Sequence, residues 1–173
     1  MKYCFYLLLS ALSISFSGCL NKPINPAEVN YIFTGPDSLI ADEAKQVSLY
    51  EYEVLQLDKI SDLEYNEPAS FYYGDTIVMG KNGRLQTIYH VTDTEKAEYL
   101  LTYDIANNLK DYICVSFLDW QNYHRMFSVL KEGELTVNLI ESDFDSVIMN
   151  RTSDTIRTKY KIANDLTFIK EEE

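Results

Sequence analysis

The stretch Asp75-Thr76-Ile77-Val78-Met79-Gly80-Lys81-Asn82-Gly83-Arg84-Leu85-Gln86-Thr87-Ile88-Tyr89-His90-Val91 decides the fold. Two runs rich in strand formers flank a short polar break, and Asn82-Gly83 supplies the positive φ values that a hairpin turn demands. The same pattern continues downstream. Residues 92–96 form a polar turn, residues 97–104 and 109–118 flank Ile105-Ala106-Asn107-Asn108, and residues 123–130 and 135–141 flank Lys131-Glu132-Gly133-Glu134. In residues 156–162, Ile156, Thr158, Tyr160 and Ile162 share one face, while Arg157, Lys159 and Lys161 share the other. One apolar and one wet face is the antiparallel signature. Residues 166–170 are placed to pair with that strand.

Strands joined in succession by short turns give an antiparallel up-and-down meander. A mainly β meander of this length must curl to bury its apolar faces, into a partial barrel or a two-layer sandwich. Both remain open at this level.

Upstream the pattern is less regular. Residues 29–33 read as a first extended segment, ended by Thr34-Gly35-Pro36. Asp37 or Ser38 is placed to cap one short N-terminal helix running to about Gln46. In residues 49–57, Tyr50, Tyr52 and Val54 alternate, and Leu55 and Leu57 continue on the opposite parity, as a strand with a β-bulge would. Residues 59–74, with Pro68, read as the longest loop. Tyr103-Asp104-Ile105-Ala106-Asn107-Asn108-Leu109 echoes Tyr160-Lys161-Ile162-Ala163-Asn164-Asp165-Leu166 at an offset of 57. The echo ends at the turn, which favours reused turn chemistry over a duplicated hairpin.

The N-terminus carries a different signal. Lys2, an apolar run from Phe5 to Phe16 diluted by serines, and Ser17-Gly18 make the three parts of a secretory signal over residues 1–18. The run is short of the roughly 20 apolar residues that a spanning helix needs. Phe16-Ser17-Gly18-Cys19 resembles the lipobox of bacterial lipoproteins, departing from the usual aliphatic residue at Phe16. The resemblance implies a lipid on Cys19, cleavage before it and acylation of its amine. Leu20, rather than Asp, after the cysteine implies an outer-membrane address facing the periplasm. Residues 19–28, with Pro23 and Pro26, then read as a tether, and residues 29–173 as a single domain.

Charge limits the partners. The chain has 15 basic and 27 acidic residues, a net charge of -12 that becomes -13 once Lys2 leaves with the signal. Nucleic acid and broad contact with anionic lipid both reward clustered Lys and Arg, so neither is expected, and the membrane link is assigned to the lipid on Cys19. With Cys4 removed and Cys19 lipidated, Cys114 has no partner for an intramolecular disulfide, and it reads as a small packed residue in a strand.

No catalytic motif is present, and no enzymatic activity is expected. The glycines at 35, 74, 80, 83 and 133 form neither a phosphate loop nor a nucleophile elbow. His90 and His124 lie in separate segments without further nitrogen or sulfur ligands, so no metal or cofactor is expected. Glu51 and Glu53 on one strand face would stand about 7 Å apart, near the spacing of glycosidase carboxylates, but without a second catalytic cue. Asp143 and Asp145 lack the glycine and spacing of a calcium loop. Asn150-Arg151-Thr152 matches a glycosylation acceptor that a bacterial lipoprotein rarely uses.

Aromatic residues make up 13% of the chain, and half-buried strands absorb most of them. Phe71, Tyr72 and Tyr73 in the expected loop, with Trp120 and Tyr123 at a turn, are the candidates for contact with a partner or a glycan. The expectation is a lipid-anchored envelope protein of binding or structural role with a protein partner. A glycan-binding module, or an inhibitor or immunity protein against a basic toxin or hydrolase, is the alternative.

Overall fold

The computed structural model describes residues 22–33, 35, 44–61, 63, 65, 69–145 and 150–172. Within them runs a nine-stranded antiparallel sheet: β1 (Tyr31–Ile32), β2 (Ser70–Gly80), β3 (Gly83–Val91), β4 (Glu95–Tyr103), β5 (Leu109–Asp119), β6 (Arg125–Lys131), β7 (Glu134–Asp145), β8 (Asn150–Ile162) and β9 (Phe168–Lys170). From β2 to β9 each strand pairs with the next, as an up-and-down meander requires, and β1 pairs with β6. The expected register of β9 against the end of β8 is present, with Ile162 opposite Phe168.

The sheet folds over at one place. β5 and β6 share only two paired positions, Phe117 with Met126 and Leu118 with Arg125. Beyond them β6 leaves β5, and β1 takes the vacated edge, with Tyr31 opposite Leu130. The two halves then face each other across a core of Leu85, Leu100 and Val115 from one side and Leu130, Leu135, Val137 and Ile162 from the other. β2 and β9 do not pair, so the sheet stays unclosed. The arrangement is two-layered.

A second core lies on the outer face of β2–β5, where Phe71, Ile88, Tyr99, Leu101 and Tyr103 pack against Val47, Tyr52, Leu55, Leu57, Ile60 and Leu63. Both faces of β3 and β4 are thereby buried. A wet face remains chiefly on β6 and the far half of β8, where Ile156, expected to face the core, is 49 % exposed.

Several local readings are corrected. Residues 49–57 are not a bulged strand: α1 (Leu49–Val54) starts at a capping box in which the Ser48 hydroxyl accepts the Glu51 N–H and Glu51 accepts the Ser48 N–H. Ser48-x-x-Glu51 is the sequence signature of that device, and it outweighs the alternation of Tyr50, Tyr52 and Val54. Only Tyr52 of those three is buried. Strand β2 begins at Ser70, inside the expected loop. The helix expected to end near Gln46 falls mostly outside the described residues, and Gln46 itself forms a bridge with Tyr72.

The expected tether is also corrected. Ile24, Pro26, Val29 and Phe33 are buried, and a 3-10 turn (Pro26–Glu28) capped by Asn25 leads into β1. Apolar burial, not proline content, decides where this domain starts. The expected signal over 1–18 and Cys19 lie outside the described residues.

All four turns at one end of the layers, those after β2, β4, β6 and β8, gather where the chain enters at Lys22, which we term the base. At the opposite end, the apex, lie the turns at 92–94 and 120–124. The Lys81 N–H donates to Lys22 O at 2.9 Å, and Asn82 Oδ1 accepts the Ile24 N–H at 2.7 Å. In the β2–β3 turn Lys81 and Asn82 keep ordinary backbone, and the positive φ expected at Asn82-Gly83 falls on Gly83 alone.

Candidate functional site

The apical turn is built by Asp119 at the end of β5. Its carboxylate accepts the N–H groups of Gln121 and Asn122 at 2.8 and 3.0 Å and the Asn122 side-chain amide at 2.7 Å. Those bonds to Asn122 and Gln121 hold the Asp119 carboxyl below its usual range, so the turn stays pinned by an anion through neutral pH. The Asp119 N–H returns to His124 O, and the Trp120 N–H crosses to Thr94 O in the neighbouring β3–β4 turn. Thr92 ties that second turn by accepting the N–H groups of Thr94 and Glu95.

This lattice displays two aromatic side chains. Trp120 is 42 % exposed, with the Lys96 ammonium 5.9 Å from its ring centroid, and Tyr123, held at a φ of 59°, is 55 % exposed. Rigid aromatics in a polar rim are the composition of protein-contact hot spots.

The other expected contact residues do not join them. Phe71 is wholly buried in the outer core, its ring 5.0 Å from that of His90, so it is removed as a contact residue. Tyr72 pairs with Tyr89, and Tyr73 packs toward the same core under the Lys45 ammonium, 4.5 Å from its ring. They belong to regular β2, three strands from β5, or about 14 Å at ordinary strand spacing. The sequence places 71–73 in a loop because the strand signal weakens toward Gly74, where a Cβ would fall 2.0 Å from the Thr87 hydroxyl.

A buried titratable group escaped the sequence reading. Glu98 on β4 has no exposed surface and faces the space between the layers, near the Tyr89 and Thr87 hydroxyls, the Gly35 N–H and the Asp75 charge. Burial raises its pKa to about 7, and those donors only temper the rise. Neither carboxylate oxygen has a partner at full hydrogen-bond geometry. Nearby, the Tyr31 hydroxyl donates to Asp75 Oδ2 at 2.5 Å, and burial together with that carboxylate pushes its pKa up. Glu98 can hold a proton near neutrality, but with no accessible surface it meets no substrate. The only sequence cue was a Glu in an otherwise apolar alternation, at Glu98-Tyr99-Leu100-Leu101.

His90 is buried. Burial lowers its pKa and keeps the ring neutral, while Nδ1 lies 3.9 Å from Glu95 Oε1 without a hydrogen-bond partner. Glu51 caps α1 and pairs with Lys45 at 2.5 Å, so the carboxylate spacing drawn for Glu51 and Glu53 on a strand does not arise. Among the described residues no three His, Cys, Asp or Glu side chains gather as metal ligands do, and no helix is long and apolar enough to cross a membrane. Asp143 lies on β7, apart from any such group. Cys114 is half-buried on β5 against the outer core.

Compared with family models, curated proteins and solved structures, the chain matches none.

Proposed function

We propose that this is a lipid-anchored protein of the bacterial cell envelope, held by a lipid on Cys19 and acting by binding another envelope protein rather than by catalysis. The observation that carries the binding role is the apical turn, where Trp120 and Tyr123 project from a backbone fixed by Asp119 at the end farthest from Lys22. A contact surface on a rigid turn loses little entropy on binding, which favours affinity from few residues. The lipobox-like Phe16-Ser17-Gly18-Cys19 supports the address, and Leu20 after it supports the outer membrane, with the domain facing the periplasm.

A glycan is the second reading, favoured by the exposed Trp120 ring beside the Gln121 and Asn122 amides. The test is a photo-crosslinking residue at position 123 in living cells, with position 81 at the base as control. A discrete protein adduct at 123 that disappears in Trp120→Ala supports protein binding. Equal adducts at both positions, or none at 123, overturn it. Quenching of Trp120 emission by oligosaccharides would move the assignment to the glycan.

A further inference from the structure

The basal end of the domain carries no proposed role, yet it holds the most exposed large apolar side chain among the described residues. Ile105, 76 % exposed, sits in the β4–β5 turn. That turn is not loose: the Asp104 carboxylate accepts the Asn108 N–H at 2.8 Å and its side-chain amide, and the Asn107 side chain is held by Arg84. Gln56 bonds to Asn107 O and receives the Leu109 N–H, bringing Val54, 43 % exposed, beside the same turn. A rigid turn that presents isoleucine to solvent, with a second apolar residue next to it, is placed to meet an apolar medium.

Chain length says which medium. Three residue steps separate Cys19 from Lys22, a reach of at most about 11 Å even when fully extended. Lys22 is fastened to Lys81 in the adjacent basal turn, and Ile24 is already buried. The apex stands at the far end of the eleven-residue β5, about 35 Å away at ordinary strand rise. A lipid on Cys19 therefore holds the base within a short step of the bilayer.

We infer that the basal turns rest on the lipid surface, with Ile105 and Val54 in the head-group zone and the Trp120–Tyr123 turn pointing away from the membrane. The inference rests on the lipoprotein reading above. Exposed charges at the base are mixed, Lys22, Lys81 and Lys131 against Glu132 and Asp165, so the contact is apolar and indifferent to lipid charge. Burying the base also keeps the exposed apical aromatics on the side away from the membrane.

The test uses the acylated protein, cleaved before Cys19, in phosphatidylcholine vesicles that contain a lipid-borne quencher. Single cysteines replace Ile105, Asp93 at the apex and Val129 on the outer face of β6, in a Cys114→Ala background, and each carries the same fluorophore. The label at 105 is expected to be quenched severalfold more than those at 93 and 129. Equal quenching at all three, or strongest quenching at 129, overturns the orientation while leaving the lipid anchor intact. A mass measurement on the same protein separates the two failures, because an unacylated Cys19 overturns the anchor and the orientation together.

Discussion

Leu166 closes over Gly83. A Cβ built on Gly83 would fall 2.8 Å from Leu166 Cδ1 and 1.9 Å from Tyr103 O, and Gly83 itself holds a φ of 144°. Leu166, at a φ of 69°, is buried at the base of the inner core, so this one contact joins the β2–β3 turn to the β8–β9 turn across the two layers. Gly83→Ala is therefore expected to destabilise the fold by about 3 kcal/mol, since strain at positive φ adds to overpacking. Urea unfolding would read this as a lower midpoint at an unchanged slope. A loss near zero would mean that the two turns are not in contact.

The cap of α1 gives a second, smaller effect. Ser48→Ala removes the hydroxyl that accepts the Glu51 N–H and is expected to cost about 1 kcal/mol. Glu51 has its pKa lowered to about 2, first by Lys45 and then by Ser48. Its contribution is present above its ordinary pKa of 4.5 and is lost as pH falls toward 2. Thermal unfolding of Ser48→Ala and the parent at pH 7 checks the cap, and unchanged melting would remove it.

Glu98 sets the opposite slope. Its pKa rises from an ordinary 4.5 to about 7, so between those values only the folded chain keeps the proton. Stability falls as pH rises through that window, with a full cost of up to roughly 3 kcal/mol above it. Glu98→Gln is expected to be more stable than the parent at pH 8 and nearly equal to it at pH 4. His90, neutral when folded, loses stability as pH falls below its ordinary 6.5, but both proteins share that effect and the difference cancels it. A difference independent of pH would mean that Glu98 stays charged in the fold.

The meander was legible because turn chemistry and alternation act locally. Glu132 and Gly133 both take positive φ between β6 and β7 as a tight hairpin needs, and β8 ends in the buried Ile162 as its alternation requires. The echo at an offset of 57 does not extend to the backbone: the positive φ falls on Asn107 in one turn and on Leu166 in the other, 59 positions apart, so the two turns neither superpose as a duplication would nor share the turn chemistry expected of them. What stayed hidden depends on distant partners. Tyr50-Glu51-Tyr52-Glu53-Val54 reads as a strand until the Ser48 cap is set against the groove that receives Tyr52, whose hydroxyl donates to Leu63 O. The burial of Glu98 follows from the second layer closing over β4, and the exposure of Trp120 from two turns meeting through Thr94. Neither is a property of a neighbouring residue.

Trp120 is the only tryptophan, so its emission reports the apical turn alone. Its half-exposed ring should be open to quenchers in the free protein, and the Lys96 ammonium 5.9 Å from the ring should decide which quencher works better. The whole chain repels anions at a net charge of -12, but a cation at that distance acts locally over less than the Debye length, about 8 Å at physiological salt. Iodide is thus expected to quench better than caesium at physiological salt, and Lys96→Gln should reverse that order. Trp120→Ala should leave stability within about 0.5 kcal/mol of the parent, because the ring contributes to a surface and not to either core. Caesium quenching better than iodide in the parent would place Lys96 away from the ring, and a large stability loss in Trp120→Ala would make the indole a packing residue and remove it from the binding surface.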